Sequence, residues 1–403
     1  MNDRRTLARR GPLAGRAESA PPLDVDALVR DPATRIVVCC GSGGVGKTTT
    51  SAALALRAAE HGRKVVVLTI DPARRLAQSM GIEALDNTPR PVPGAEATNG
   101  GSLDAMMLDM KRTFDEVVES QASPEKAAQI LANPFYQALS SSFAGTQEYM
   151  AMEKLGQLHQ DAVRTGRWDL IVVDTPPSRS ALDFLDAPER LSSFLDGRFI
   201  RMLLAPARGP ARFMTAGLGV VTNALTKVLG TQVLRDMQTF VAAFDTLFGG
   251  FRQRAQKTYE LLQATGTSFL VVAAPEPDAV REAAYFVERL EEERMPLAGL
   301  VVNRVSQLPP GGLSAEEAVA AADRLGRTGD SDTAGLTAGL LRLHAERARI
   351  VARETRVGRR FTAAHPHVPT VVLPALPTDV HDLDGLRLVG KLLGGVPGNA
   401  AAS

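Results

Sequence analysis

The chain contains a glycine-rich stretch of eight residues, Gly41-Ser42-Gly43-Gly44-Val45-Gly46-Lys47-Thr48. It matches the spacing G-x-x-x-x-G-K-[ST] of loops that wrap phosphate groups. Glycines let backbone N–H groups turn inward without Cβ clashes, and the N-terminus of the helix that follows favours an anion. Lys47 would neutralise phosphate oxygens, and Thr48 would offer a hydroxyl to Mg²⁺. A simple connecting turn is the alternative, but the Lys-Thr pair favours a nucleotide site that extends to Thr49.

Short apolar runs alternate with helical stretches such as Thr48–Glu60 and Asp278–Glu293 on both sides of this loop. These runs lack polar alternation, which indicates strands covered on both faces. The predicted strands are Arg35–Cys40, Lys64–Ile70, Asp104–Asp109, Asp169–Asp174, Ser268–Ala274, Gly299–Asn303 and Val368–Leu373. This alternation predicts an α/β fold of the P-loop NTPase class, with a mostly parallel sheet flanked by helices and an inserted α-helical subdomain.

The predicted organisation is a single P-loop domain, residues 32–395, between a flexible leader at 1–31 and a flexible tail at 396–403. Helical inserts are predicted at about 111–166 and 182–265, because several helical segments interrupt the strand–helix alternation there.

The second insert carries an apolar stripe at helical spacing. Its members are Val233, Met237, Phe240, Val241, Phe244, Leu247, Phe248 and Phe251. Such a stripe is either a core face or a groove for an apolar client, and the pattern favours the core. Two other segments, Asn87–Gly101 and Gln307–Leu336, contain Pro and Gly and are predicted to be loops.

Two aspartates follow the ends of predicted strands, Asp71 after Val65–Ile70 and Asp174 after Leu170–Val173. In an open parallel sheet, the carboxyl ends of neighbouring strands meet beside the phosphate loop. Phosphoryl transfer needs an acid near Mg²⁺ or its waters and a polar group that orients the attacking water. An aspartate at such a place can instead cap the next helix. Two of them in one P-loop sheet favour the catalytic site.

The strand Leu300–Val302 ends in Asn303-Arg304-Val305-Ser306, which bears on the choice of base. Asn303 can pair with adenine, whose edge offers one donor and one acceptor. Ser306 stands where a guanine-specific site would place a carboxylate. The sequence therefore predicts ATP over GTP.

Composition and charge exclude several classes of function. Of 403 residues, 44% are hydrophobic, and 46 Lys+Arg against 45 Asp+Glu leave a net charge of +1. This balance gives no electrostatic reason to expect nucleic acid as a ligand. No apolar run approaches the ~20 residues that span a bilayer. The only cysteines, Cys39 and Cys40, form neither a disulfide framework nor a zinc motif. We expect a cytoplasmic protein without zinc, and peripheral membrane contact stays open.

Together these residues resemble the ArsA family of P-loop ATPases, which includes the bacterial arsenite-pump ATPase and the eukaryotic ATPase that delivers tail-anchored membrane proteins. The resemblance runs from about Arg35 to Leu393 and rests on an ordered set of motifs. These are Gly41–Thr50, Asp71-Pro72-Ala73, Asp174-Thr175-Pro176-Pro177, Leu182-Asp183-Phe184-Leu185, Pro275-Glu276, Val301-Val302-Asn303, and Pro374 with Gly385-Leu386.

The resemblance implies a dimer that binds ATP and Mg²⁺ at the subunit interface. In that arrangement Asp71 orients the attacking water, Asp174 holds the Mg²⁺ shell through water, and Asn303 with the Pro374 loop holds adenine. The implied catalytic residues are Asp71 and Lys47, and the implied metal residues are Thr48 and Asp174. In this family a helical subdomain follows the switch segment, which corresponds here to Asp174-Thr175-Pro176-Pro177. In the targeting branch that subdomain receives a client helix.

The sequence departs from the family pattern at Ser42, where the family has a Lys that reaches the partner's phosphates across the dimer. A homodimer would therefore lack one cation per site. Arg74 or Arg75 could substitute, as could a paralogous partner that keeps the Lys, so homodimer and heterodimer both stay open. The arsenite pump's cysteine triad and the zinc-binding Cys-x-x-Cys are absent. Ser178-Arg179-Ser180 also replaces the usual Thr-Gly-His.

The predicted function is Mg²⁺-dependent ATP hydrolysis that switches a dimer acting on a client protein or membrane segment, with turnover slowed by Ser42. One alternative is an energising subunit for anion export, although no anion site is evident. The other is a weakly hydrolysing or non-hydrolysing regulator, which Ser42 motivates.

Overall fold

The computed structural model describes residues 20–71, 75–134, 136–137, 140, 146–176, 250, 253–328 and 332–395. The described strands are β1 Ile36–Cys40, β2 Lys64–Thr69, β3 Arg90–Pro91, β4 Ser102–Met107, β5 Leu170–Asp174, β6 Thr267–Ala273, β7 Leu297–Val305 and β8 Thr370–Pro374. They form one sheet in the order β3-β4-β2-β5-β1-β6-β7-β8. All neighbouring pairs are parallel except β3–β4. The sheet confirms the predicted α/β fold of the P-loop class.

The described helices are α1 Val25–Arg30, α2 Lys47–Glu60, α3 Arg75–Ser79, α4 Met110–Gln121, α5 Pro124–Leu131, α6 Thr146–Thr165, α7 Pro277–Glu292, α8 Ala315–Thr328, α9 Asp332–Ala364 and α10 Leu383–Leu393. A further helical segment covers 253–263. None of the helices in these ranges is long and apolar enough to cross a membrane.

Two apolar cores cover the two faces of the sheet. Alternate residues of β1 enter different cores: Ile36, Val38 and Cys40 face one, and Val37 and Cys39 face the other. The first core is completed mainly by α4, α6 and α7, and the second by α2 and α10. Because every β1 side chain is buried, the strand has no polar alternation, as the sequence analysis predicts for a doubly covered sheet.

Part of the predicted flexible leader is packed against the domain. Helix α1 buries Val25 and Val29 in the second core. Just before it, the backbone N–H of Leu23 donates to the carbonyl of Thr370 on β8 at 3.1 Å. The predicted boundary at residue 31 is therefore wrong, because this short amphipathic helix has a sheet edge and a core to pack on. Residues 1–19 and the predicted tail at 396–403 lie outside the described residues.

Both predicted loops contain regular structure. Within Asn87–Gly101, β3 pairs antiparallel with β4. Within Gln307–Leu336, α8 packs on α9 through a small core that includes Ala318 and Ala345. The prediction missed α8 because it relied on Pro309-Pro310-Gly311-Gly312, which precede the helix.

The predicted inserts are described unequally. Helices α4, α5 and α6 occupy the region predicted at 111–166. Most of the region predicted at 182–265 lies outside the described residues, as does the apolar stripe from Val233 to Phe251.

Arg63 joins three segments at the amino ends of the strands. Its guanidinium donates to the carbonyls of Val29, Asp31 and Thr34 at 3.0, 2.8 and 2.8 Å. It also donates to the carboxylate of Asp169 at 2.6 Å and to its carbonyl at 2.8 Å. A buried cation with this many partners stabilises the fold, and its removal would leave several carbonyls unpaired.

We expect Arg63→Met to lower the free energy of unfolding by about 3 to 5 kcal/mol, because it leaves buried acceptors without donors. Denaturant titration of the nucleotide-free protein measures this loss. The matched control is Arg281→Met on α7, where the arginine forms an exposed ion pair with Asp278. That control should change stability by no more than about 0.5 kcal/mol. Equal losses in both variants would contradict the role assigned to Arg63.

Candidate functional site

The predicted phosphate loop connects β1 to α2 at the centre of the sheet, and its glycines occupy conformations that side chains rarely adopt. The φ angles of Gly41, Gly44 and Gly46 are +148°, +76° and +95°. A Cβ on Gly41 would lie 2.1 Å from the carbonyl oxygen of Val272, and one on Gly46 would lie 2.3 Å from Nδ2 of Asn303. The positive φ angles therefore favour glycine at positions 41 and 46, and at position 41 the backbone of Val272 also leaves no room for a Cβ.

Lys47 is the first residue of α2 and is buried. Its Nζ donates to the carbonyl of Ser42 at 2.7 Å, so the ammonium group lies inside the curve of the loop. The hydroxyl of Ser42 is buried and has no hydrogen-bond partner within the described part of the chain. The loop thus holds one ammonium group at the helix N-terminus, in the arrangement that binds phosphate.

Asp174 ends β5, and one of its carboxylate oxygens accepts hydrogen bonds from two hydroxyl groups. Thr48 from α2 donates to Oδ2 at 2.8 Å, and Thr69 from β2 donates to the same atom at 2.9 Å. The other oxygen, Oδ1, is buried without a partner among the described residues. Burial raises the pKa of Asp174 to about 6, although the two hydroxyl groups favour the ionised form.

These groups fit a magnesium shell. Mg²⁺ takes oxygen ligands and usually keeps several waters, so one carboxylate and one hydroxyl beside substrate phosphates suffice. The proton of Thr48 is committed to Asp174, so the lone pairs of that hydroxyl oxygen remain for a cation. The unpartnered Oδ1 of Asp174 could accept from a metal-bound water. A buried carboxylate oxygen without a partner otherwise costs stability.

A cavity of about 840 Å³ opens beside the loop, and it brings most predicted site residues together. Its walls include Gly44, Gly46, Lys47, Thr48, Thr49, Asp71, Asn303 and Pro374. The half-buried Asp71 therefore lies in the same cavity as Lys47. This volume is within the range of small-ligand pockets in proteins.

The proposed adenine residue Asn303 braces the loop in this structure. Its Nδ2 donates to the carbonyl of Val45 at 2.8 Å, and its Oδ1 accepts from the backbone N–H of Arg304 at 2.9 Å. Ser306 does not line the cavity; it donates through its backbone N–H and hydroxyl to Glu354 on α9, at 2.7 and 3.0 Å.

The two cysteines lie on β1 and are buried, one in each core. Burial raises the pKa of both thiols to about 12. A thiol with such a pKa is a poor ligand for a soft metal or arsenic centre at neutral pH. The switch segment begins beside them, because Thr175 donates its hydroxyl to the carbonyl of Cys39 at 2.8 Å.

Two residues of this site were not predicted from the sequence. Thr69 contacts Asp174 from a strand 105 positions earlier, and no local motif marks it. Arg304 donates through Nη1 to the carbonyl of Gly44 at 2.9 Å. Its position directly after Asn303 was the one available signal. Arg74 and Arg75 were predicted as possible substitutes for the missing cation. Arg74 and the side chain of Arg75 lie outside the described structure.

The parallel sheet, the phosphate loop before α2 and the acid at the end of β5 define a P-loop nucleotide-binding protein. The sequence profile of the family described as anion-transporting ATPases, ArsA, matches residues 34–311, more than half of the chain. The chain therefore belongs to the ArsA family of P-loop ATPases.

Curated relatives carry two kinds of name. The ATPase GET3 of Malassezia globosa is 26% identical over 301 residues, which cover 73% of this chain and 80% of that protein. The ATPase ASNA1 homolog of Cryptosporidium parvum is 27% identical over 66% of this chain and 63% of its own. The arsenical pump-driving ATPase of Acidiphilium multivorum is 31% identical over 158 residues, 39% of this chain and 26% of that longer protein.

Proposed function

We propose that this chain is a Mg²⁺-dependent ATPase whose nucleotide state switches a dimer that acts on a client protein or membrane segment. The observation that carries the nucleotide chemistry is the cluster of Thr48, Thr69 and Asp174, with a buried carboxylate oxygen left for a metal-bound water. This cluster adjoins the lysine-bearing loop, because Thr48 directly follows Lys47 at the start of α2. Family membership supports ATP hydrolysis.

Each residue has one proposed task in hydrolysis. The N–H groups of the loop and the ammonium group of Lys47 bind the phosphates and offset the charge that develops on them. Bound Mg²⁺ would add positive charge at the same oxygens, held by Thr48 and, through water, by Asp174. Asp71, on the cavity wall, orients the attacking water. Asn303 and the segment at Pro374 hold the adenine at the other side of the cavity.

The proposed switch follows from chain order. Asp174 senses the metal and phosphate, and the chain continues from it through Thr175 and Pro176 towards the predicted second insert. A change at Asp174 would therefore be transmitted to that insert, for which we propose client handling within a single domain at 32–395. The relative named GET3 matches 73% of this chain, and the arsenical pump-driving ATPase matches 39%. This difference in coverage favours the client-targeting branch of the family over an arsenite pump.

Ser42 favours a second candidate, a regulator that binds ATP and turns it over slowly or not at all. The serine side chain is buried in the loop and cannot extend across an interface as a lysine would. Pairing with a paralogous ATPase that keeps the lysine would restore the missing cation. We propose a dimer, homomeric or heteromeric, because a partner subunit could supply the missing cation and because the family resemblance implies a dimer.

Phosphate release from Mg²⁺-ATP tests these functions, with the protein alone and with a co-purified partner. We expect turnover that rises when an apolar helical peptide is added. Tight ATP retention without turnover in every pairing would favour the regulator. Stimulation by arsenite and not by the peptide would revive anion export, and comparable affinity for ATP and GTP would remove the proposed role of Asn303.

A further inference from the structure

The end of β7 departs from regular strand geometry next to the phosphate loop. The register between β7 and β8 shifts between Val302 and Val305, which takes Asn303 and Arg304 out of the ladder. Arg304 has a φ of +63°, in the left-handed region that non-glycine residues seldom occupy. In the described chain, Arg294 at +56° is the only other such residue. Bulges beside active sites commonly redirect a side chain.

The redirected side chain reaches the loop. Nη1 of Arg304 donates to the carbonyl of Gly44 at 2.9 Å, and the residue lines the same cavity as Lys47 and Thr48. The neighbouring Asn303 donates to the next carbonyl, that of Val45. Two consecutive residues of β7 therefore hold two consecutive residues of the loop. A left-handed conformation at arginine is strained, and surrounding contacts must hold it in place.

The guanidinium group of Arg304 is exposed and retains most of its hydrogen-bonding capacity. A guanidinium has five N–H donors, and among the described residues the Arg304 group makes one hydrogen bond, to the carbonyl of Gly44. No carboxylate of the described residues lies within 4.0 Å of it. An unpaired cation on the wall of a phosphate-binding cavity attracts an anion, and guanidinium groups match phosphate oxygens in geometry.

We propose that Arg304 is a second phosphate-binding cation of the nucleotide site, supplied by the same chain and aimed at the polyphosphate by the bulge in β7. This inference rests on the proposed function, since it requires that the cavity bind ATP. The loop itself offers only Lys47, because position 42 is a serine. Arg304 adds positive charge beside Gly44, without any contribution from a partner subunit.

The simpler alternative is that Arg304 only braces the loop. The two roles predict different dependence on the ligand. A phosphate-binding cation contributes more as the number of phosphates and their charge increase, and its contribution weakens with salt. A brace that only shapes the loop affects every ligand of that loop alike.

The test measures the affinities of AMP, ADP and ATP for the full-length protein, at low and at physiological salt. Variants Arg304→Ala, Arg304→Lys and Arg304→Gly are compared with wild type. We expect Arg304→Ala to weaken ATP binding about tenfold to a hundredfold, as loss of a charged hydrogen bond does, ADP less and AMP least. Arg304→Lys should recover part of the ATP affinity. Arg304→Gly should lose as much as Arg304→Ala, although glycine suits the left-handed backbone better.

Arg294→Ala is the matched control, because it removes the other left-handed arginine, in a turn between α7 and β7 away from the cavity. It should leave all three affinities unchanged, and thermal unfolding shows that every variant is folded. Equal losses for AMP, ADP and ATP, or full affinity in Arg304→Gly, would overturn the inference in favour of a brace. ATP binding by wild type with no loss in Arg304→Ala overturns this inference alone. No ATP binding by wild type overturns the proposed function as well.

Discussion

Lys47→Ala is expected to lower the rate of ATP hydrolysis by about a hundredfold to a thousandfold, or to abolish it. The ammonium group of Lys47 is buried inside the loop, 2.7 Å from the carbonyl of Ser42, whereas the exposed guanidinium of Arg304 contacts the loop at the carbonyl of Gly44. Removal of the Lys47 ammonium group would take away a positive charge that we propose binds the phosphates. Phosphate release under saturating Mg²⁺-ATP measures the effect, together with ATP affinity.

The control for this prediction is Lys64→Ala. Lys64 is the exposed first residue of β2 and lies at the amino end of the strands, away from the loop. Its removal changes the net charge by the same amount as Lys47→Ala, so it tests for a general electrostatic effect. Hydrolysis should stay within about twofold of wild type. Turnover by Lys47→Ala that equals wild type would refute the phosphate role of the loop.

Asp174→Asn should reduce hydrolysis about a hundredfold or more, because the amide cannot hold the magnesium shell as a carboxylate does. One amide oxygen can still accept from Thr48 and Thr69, so the local structure is retained. The variant therefore removes the negative charge of Asp174 while the shape of the side chain stays nearly the same. Measuring turnover against Mg²⁺ concentration shows whether metal affinity is the property lost. Asp278→Asn, at an exposed position of α7, is the control and should have no effect.

Asp174→Asn should lower the rate of hydrolysis, but we expect it to raise the stability of the folded protein at neutral pH. The direction of the stability change follows from the raised pKa of Asp174. Burial raises the pKa of Asp174 to about 6 in the folded, metal-free protein, above the value of 3.8 for an ordinary aspartate. Between these values the folded protein holds a proton that the unfolded chain has released. This group's contribution to stability is therefore lost as pH rises towards and through about 6.

We expect Asp174→Asn to be as stable as wild type or more stable at pH 7 without nucleotide and with chelator. Its advantage over wild type should grow between pH 5 and pH 7. Denaturant titrations at the two pH values measure this. Parallel pH dependence in the two proteins would show that Asp174 does not titrate in this range. An acid that costs stability but is needed for turnover is typical of a functional site.

The motifs on which the proposed site rests could be recognised because their residues are local in sequence. Eight consecutive residues specify the phosphate loop, and the apolar runs before Asp71 and Asp174 mark strands that end in acids. Uniform burial of β1 and β5 explains why their sequences lack alternation. Such features depend on neighbours within a few residues, so periodicity and motif spacing detect them.

Two predictions of loop or linker structure failed, for different reasons. Residues 20–31 have the composition of a linker, yet α1 packs on the sheet because β8 provides a hydrogen-bonding edge and α2 provides an apolar surface. Helix α8 was read as part of a loop because Pro309-Pro310-Gly311-Gly312 precede it, although it packs on α9, the next helix along the chain. For α1, the strand that provides the hydrogen-bonding edge lies far along the chain.

By itself, the sequence determined the fold class, the phosphate loop and the acidic residues at the strand ends. Only the tertiary structure decided which side chains surround them. Thr69 reaches Asp174 because β2 lies beside β5, and Arg304 reaches Gly44 because β7 bulges beside the loop. The physical reason is that the two kinds of feature depend on interactions of different range along the chain. A strand or loop forms from local backbone preferences, whereas a hydrogen bond within 3 Å requires the whole order and register of the sheet.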